Sequence, residues 1–285
     1  MKTFVKDYKK NDQLRQSFAD LAKKTFGIDF ETWYQNRYWN EHYICYSYAL
    51  NGDIIANVSI NTMNVFVHGN VKKAIQIGTV MTNPAYRNQG LASELLEKVF
   101  ADYDSTCDFY FLAANDRAIS LYEKNGFTSW IETSFVIDVT NYSKRNRALE
   151  PVEMTGKEFL KRKRKSIPIS NKLAVENDEH VWMFYYLHGF NACLYTTDHN
   201  LTIVAEFDQE TCHLYGTLSE RPFHLEQHLP VILHEGINEV ICHFTVDEPL
   251  PGLFLAEDTS NNWMVRSVTG ASFPKNTRFP KLAQA

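Results

Sequence analysis

The stretch that decides the fold reads Ile77-Gly78-Thr79-Val80-Met81-Thr82-Asn83-Pro84-Ala85-Tyr86-Arg87-Asn88-Gln89-Gly90-Leu91-Ala92. A strand-like run stops at a proline turn. A polar loop with one glycine then leads straight into an amphipathic helix over residues 88–103, with Leu91, Leu95, Leu96 and Val99 on one face. The first turn of such a helix carries N–H groups without intrahelical partners and the positive end of the helix dipole. Together these make an anion site suited to a pyrophosphate. Gly90 has no Cβ to hold phosphate oxygens off the backbone, and Arg87 and Gln89 supply charge and donors at the rim. The loop lacks the Lys-Ser/Thr ending of a P-loop and the three glycines of a dinucleotide fingerprint, so ATP and NAD are poorly supported. The residues alone specify a phosphate-bearing ligand.

Working outward, residues 4–8 alternate as a first strand, and Asn11 or Asp12 caps a helix carrying Leu14, Phe18, Leu21, Ala22 and Phe26 up to Gly27. An aromatic-rich stretch from Trp33 to Tyr48 follows. Strands at 43–50 and 53–61 meet across Asn51-Gly52, and strands at 64–68 and 72–80 across Gly69-Asn70. After the 88–103 helix come a strand at 109–113, a helix at 116–124 and further strand at 127–139. This order predicts an α/β fold, a mixed sheet flanked by helices.

The pattern breaks into polar and basic residues over 141–147, which divides the chain into domains at 1–142 and 143–285. Two domains also suit 285 residues. In the second half a helix-like Glu158-Phe159-Leu160 opens a basic run, Lys161 to Lys165. Strands are expected at 181–187, 192–196, 201–207, 211–218 and 239–245, with a helix at 224–234. The meander–helix–strand order echoes the first half, suggesting a second α/β domain as a decayed copy.

Composition bounds the function. A net charge of -5 disfavours nucleic acid as a partner. No apolar run approaches the ~20 residues of a membrane helix, and charge interrupts the N-terminus too early for a signal peptide, so no membrane partner and a cytoplasmic location are expected. The 5 cysteines are scattered and odd in number, which reads as reduced structural thiols rather than a metal or disulfide framework. His224 and His228 lie one helical turn apart, but the spacing of Glu226 does not fit a zinc protease helix. No metal is expected, and the basic run reads as a solvated helix face.

At this point the residues carry a resemblance. Arg87-Asn88-Gln89-Gly90-Leu91-Ala92 resembles the Q/R-x-x-G-x-G/A signature of the GNAT superfamily of N-acetyltransferases. Downstream, Asn115-Asp116-Arg117-Ala118-Ile119-Ser120-Leu121-Tyr122-Glu123-Lys124-Asn125-Gly126-Phe127 is similar to that family's second hallmark, and the resemblance covers about the first half of the chain. It implies acetyl-CoA as cosubstrate and acetyl transfer to a primary amine by direct attack. It implies that backbone groups of Val80, Met81 and Thr82 pair with the pantetheine arm. The loop amides of Arg87, Asn88, Gln89, Gly90, Leu91 and Ala92 would hold the pyrophosphate, Asn115 would contact the cofactor, and Tyr122 would lie near the thioester sulfur as proton donor. The competing reading is a catalytically silent acyl-CoA-binding regulatory module. The acceptor is a small-molecule or peptide amine, whether polyamine, aminoglycoside, metabolite or protein amine, with the aromatic stretch as one wall of its site.

Residues 73–79 contain no carboxylate or histidine to act as general base, and nothing selects among Glu31, His42, Asp116 and Glu132. An active first domain with a degenerate follower resembles acetyltransferases of the enhanced-intracellular-survival type. Aminoacyl-transfer proteins with paired domains of this fold generally lack an intact CoA loop. The tail, Phe273 to Ala285, has Phe-Pro twice and reads as a segment built to dock. In the longer acetyltransferases the layout resembles, the terminal carboxylate takes the amine proton, which makes that of Ala285 a candidate base. The alternative is a tail packed on its own domain.

Overall fold

The computed structural model describes residues 1–197, 201–270 and 273–285. In the first half, β1 (Thr3–Lys6), α1 (Asp12–Phe26) and the short α2 (Glu31–Gln35) precede a meander of β2 (Tyr43–Leu50), β3 (Asp53–Val67) and β4 (Asn70–Thr82). Next come α3 (Leu91–Tyr103), β5 (Phe109–Ala114), α4 (Ile119–Lys124), β6 (Thr128–Ser129) and β7 (Glu132–Asp138). The second half holds α5 (Gly156–Lys165), β8 (Leu173–Glu176), α6 (Glu179–Leu187) and a meander of β9 (Leu194–Thr196), β10 (Thr202–Asp208) and β11 (Thr211–Leu218). It ends with α7 (Leu225–Ile232), β12 (Glu239–Cys242), β13 (Leu253–Asp258) and β14 (Asn262–Ser267).

Local chemistry sets the boundaries. Asn11 caps α1 through Oδ1, which accepts from Leu14 N, and Gly27 closes it in the left-handed region at φ 74. Asn51 (φ 54) and Gly52 (φ 90) give the turn between β2 and β3 two positive φ values, as a tight hairpin requires. The turn between β3 and β4 falls on His68 (φ 49) and Gly69 (φ 76), one residue earlier than the sequence suggests.

The strands form two mixed sheets flanked by helices, the α/β architecture expected. The first runs β1-β2-β3-β4-β5-β14-β6 with β8 also paired to β3, and the second runs β13-β7-β12-β11-β10-β9. The same motif occurs in both. The meander β2-β3-β4 leads through α3 to β5, parallel to β4; the meander β9-β10-β11 leads through α7 to β12, parallel to β11. The halves also trade a strand. β14 is antiparallel to both β5 and β6, while β7 is antiparallel to both β12 and β13. The sheets therefore interleave across residue 142, where the sequence changes character.

Several elements differ from those expected. Residues 181–187 are helix α6, not strand. Val181, Trp182 and Met183 are buried and α6 packs against α2, α5 and the tail, so the segment is apolar on every side and has no helical stripe to read. The strands expected at 53–61 and 64–68 are one continuous β3. The strand expected at 127–139 breaks into β6 and β7, which enter different sheets. Leu91, Leu95, Leu96 and Val99 of α3 are buried against the first sheet, and the second sheet packs on Leu225, Leu229 and Ile232 of α7.

Candidate active site

Strands β4 and β5 run parallel but pair only at Ala74–Phe109, Ile75–Tyr110 and Gln76–Phe111. Beyond Gln76 they part, and among the described residues no strand pairs with residues 77–82 of β4 on that side. Along the opposite edge, against β3, β4 carries a bulge: Met81 faces Asn57 and Gly78 faces Ser59. Thr79 sits inside the bulge at φ 47, a left-handed conformation that a β-branched residue adopts only under constraint.

The constraint is a buried polar chain. Asn57 Nδ2 donates to the Thr79 carbonyl (2.8 Å) and to Ser59 Oγ (2.9 Å), while Asn57 Oδ1 accepts from Ser47 Oγ (2.7 Å). Ser47 in turn bonds the Tyr8 hydroxyl at 2.6 Å, and the Tyr43 hydroxyl meets Thr79 Oγ1 at 2.9 Å. Ser47, Asn57 and Ser59 have no exposed surface. Sequence reading did not single out Asn57. Its signal is a set of polar residues at strand positions that point inward, a local departure from the apolar pattern of the kind that marks strained sites.

Past Thr82 the chain makes a short turn at Pro84–Tyr86, where Asn83 Oδ1 accepts from Ala85 N, and Arg87 Nε reaches back to the Thr82 carbonyl at 3.2 Å. Asn88 (φ 61) and Gly90 (φ 75) are both left-handed, and α3 starts at Leu91 with no side chain capping its first turn. Arg87, Asn88, Gln89 and Gly90 are exposed, Ala92 is half-buried, and Leu91 lies in the core. A Cβ at Gly90 would meet nothing within 4 Å. What the fold itself requires of Gly90 is the positive φ rather than closeness of neighbouring atoms.

Asn115 precedes a single turn at Asp116–Ala118, and its exposed side chain makes no capping bond, so the capping role open to it from sequence is not taken up. Tyr122 on α4 is buried, its ring edge-on to Phe127 at 5.8 Å. Burial pushes its pKa to about 12, which keeps the hydroxyl protonated at neutral pH.

The tail crosses from the second sheet to this site. Trp130 Nε1 donates to the Pro274 carbonyl, Phe279 N donates to Glu132 Oε1 and Lys281 N donates to the His243 carbonyl. Phe273, Phe279, Leu282 and Ala283 are buried. The last residue, Ala285, donates its N–H to Gln76 Oε1 at 3.1 Å, and its carbonyl-type oxygen would lie 3.3 Å from a Cβ placed on Gly78. The tail thus docks on β4 where β4 and β5 part.

Beside Ala285 and Thr79 opens a cavity of about 230 Å³. Phe30, Trp33 and Tyr43 of the aromatic stretch line one side, and Val181 and Phe184 of α6 the other. Trp33 Nε1 donates to the His180 carbonyl at 2.9 Å, tying the two walls together. None of the four base candidates lines it. Glu31 is held by Arg15, Asp116 accepts from Asn262, His42 bonds Thr62 and Glu132 anchors Phe279. Burial raises the pKa of Glu132.

Among the described residues there is no cluster of three or more His, Cys, Asp or Glu placed to hold a metal, and no helix is long and apolar enough to cross a membrane. The basic run on α5 is largely paired: Lys163 with Asp178, Arg164 with Glu179 and Lys165 with Glu220.

Residues 8–129 match the family model described as an acetyltransferase (GNAT) domain. No curated protein matches the chain. Among solved structures, a GCN5-related N-acetyltransferase from Kribbella flavida superposes with a TM-score of 0.61 at 12% identity, covering 94% of this chain and 71% of that one. Eis1 from Mycobacterium abscessus superposes with a TM-score of 0.61 at 9% identity, over 94% and 73%. A probable N-acyltransferase from Enterococcus faecalis V583 gives 0.57 at 14% identity, over 94% and 73%. At such identities the likeness is one of fold. Residues 8–129 are thus similar to the GNAT acetyltransferase domain, in a chain whose overall fold is shared with GCN5-related N-acetyltransferases.

Proposed function

We propose that the protein transfers an acetyl group from acetyl-CoA to a primary amine. The observation that carries this reading is the parting of β4 from β5, which leaves residues 77–82 with an unpaired backbone edge leading to an uncapped helix start. Acetyl-CoA supplies an activated thioester when bound; the rest is work for this chain's own residues. The free edge at Val80, Met81 and Thr82 offers N–H and C=O groups to an extended amide-bearing arm, as a strand would. The amides from Arg87 to Ala92 lie at the uncapped start of α3 and suit a pyrophosphate, with the positive end of the helix behind them. Asn115, whose exposed side chain makes no capping bond, has an amide to offer the same ligand.

Tyr122 keeps its proton at neutral pH and is suited to give it to a departing sulfur. Where Ala285 carries the terminal carboxylate, that group lies beside the cavity and takes the proton an ammonium must lose before attack. This role comes from the resemblance and from the docking of the tail on β4. A carboxylate beside the cavity, together with the proton donor that the resemblance implies at Tyr122, favours catalysis over a silent acyl-CoA sensor. The five free cysteines, four of them buried, suit a reducing cytoplasm. The test is acetyl-CoA consumption over a panel of primary amines, with mass spectrometry of the products. The expected result is a gain of one acetyl group on an amine; binding of acetyl-CoA without product on any amine would instead favour the sensor.

A further inference from the structure

The cavity beside Thr79 narrows the choice of acceptor. It is walled by Phe26, Phe30, Trp33, Tyr43 and Phe184, and among the described residues no acidic or basic side chain lines it. A polyamine or an aminoglycoside would carry several ammonium groups into that wall, where none but the reacting one would find an anion. An unpaired buried charge is far more costly than any aromatic contact repays. A single ammonium is different, because aromatic faces attract it and it loses its proton before attack.

Two polar side chains, Thr79 and Asn61, break the apolar wall, and the Thr79 hydroxyl is taken by that of Tyr43. Asn61 has no exposed surface; its Oδ1 meets His180 Nε2 at 2.8 Å, and its Nδ2 has no partner. A buried donor left unbonded in a native fold calls for an explanation, and an oxygen on a bound acceptor supplies one when the amide turns toward the cavity that Asn61 lines. Register fixes where that oxygen lies. Asn61 stands directly across from Gln76, the residue that holds Ala285, so donor and proton-taking end are on one face and one strand apart. The oxygen is therefore close to the reacting nitrogen. His180 adds no charge here, since burial and then His42 push its pKa down to about 3.

We propose that the acceptor is a primary monoamine with an aromatic or branched apolar body and a neutral oxygen acceptor near the nitrogen, received by Asn61 Nδ2. This rests on the acetyl-transfer reading. The nitrogen lone pair forms the bond to the acetyl carbon as the C–S bond breaks, its electron pair leaving on sulfur. From one ammonium and one thioester come one amide, one thiol and one released proton.

The experiment compares phenylalaninamide, 2-phenylethylamine and spermidine as acceptors for the full chain, alongside calorimetric titration with acetyl-CoA. The amide should exceed phenylethylamine in kcat/KM by about tenfold, the effect of one neutral hydrogen bond, and spermidine should be the poorest. Asn61→Leu should erase the gap between the first two while acetyl-CoA affinity holds. Phe184→Ala, whose ring is only half-buried, should raise KM for both aryl amines and serves if the Asn61 variant does not fold. Preference for spermidine, or acetyl-CoA binding with no turnover of either aryl amine, would overturn the proposal and leave acetyl-CoA binding intact. Absence of acetyl-CoA binding would instead overturn the parent reading.

Discussion

Thr79 adopts a backbone its side chain resists, and the residues that hold it there are buried polar groups with no exposed surface. A threonine at φ 47 in the middle of a strand cannot be seen in sequence, because nothing in the string Ile77-Gly78-Thr79-Val80 marks a bulge. Asn57 and Asn61 were equally hidden, since each acquires its meaning from a partner on another element. Tyr122 was a candidate from sequence because its spacing from Asn115 and Phe127 lies within one short segment. For Tyr122 the account expects that Phe in its place keeps the packing against Phe127 and loses the proton donor. The kcat should fall by ~100-fold or more with acetyl-CoA affinity little changed. Steady-state kinetics on a folded Tyr122→Phe protein checks this; wild-type kcat with chemistry rate-limiting would make the residue structural.

Elements show the same division between local and distant information. The strand–turn–loop–helix run from β4 to α3 was readable because each boundary has a local cause: Pro84, the left-handed Gly90 and the apolar face of α3. Helix α6 was not, because apolar residues at every position from Val181 to Leu187 remove the periodicity on which a helical reading depends. The tail was readable as a docking segment from its apolar residues, but its destination was not. Its anchors, on Trp130 and Glu132 and on Thr245, come from two separated parts of the chain. These anchors leave the last two residues dispensable for stability. Removing Gln284 and Ala285 should therefore lower kcat at least tenfold, as loss of a proton-taking group does, while the melting temperature shifts by only a degree or two, as loss of a few surface contacts does. An unchanged kcat in the shortened protein would remove the tail from the chemistry.

At the scale of the whole molecule, the reciprocal placement of β7 and β14 means that neither sheet is complete without a strand from the other half. Sequence reading recovered the repeated meander–helix–strand order but not the exchange, because strand partners far apart in the chain leave no local trace. Burial across this joint has a pH consequence. His180 and His243 are both pushed down to about 3, chiefly by burial, with His42 and Arg278 adding to it respectively. An unfolded histidine titrates near ~6.5. Between these values the unfolded chain binds protons that the folded one does not, so this contribution to stability is full above ~6.5 and is lost as the pH falls toward 3. Glu132 and Asp178, raised by burial, act in the opposite sense, so the contribution is best isolated by substitution. In His180→Gln the drop in melting temperature from pH 7.5 to pH 5 should be smaller than in the wild type; equal drops would contradict a buried neutral His180.

The central claim is that the loop from Arg87 to Ala92 and the free edge of β4 bind acetyl-CoA. Calorimetric titration of the wild type and of Gly90→Val tests it most directly. Gly90 is at φ 75 with open space beyond it, so valine strains the loop backbone and projects into the volume a pyrophosphate would take, without touching the core. The account predicts one acetyl-CoA per chain in the wild type and at least ~tenfold weaker binding in a variant that still melts cooperatively. No binding to the wild type, or equal affinity in a folded Gly90→Val protein, would contradict it.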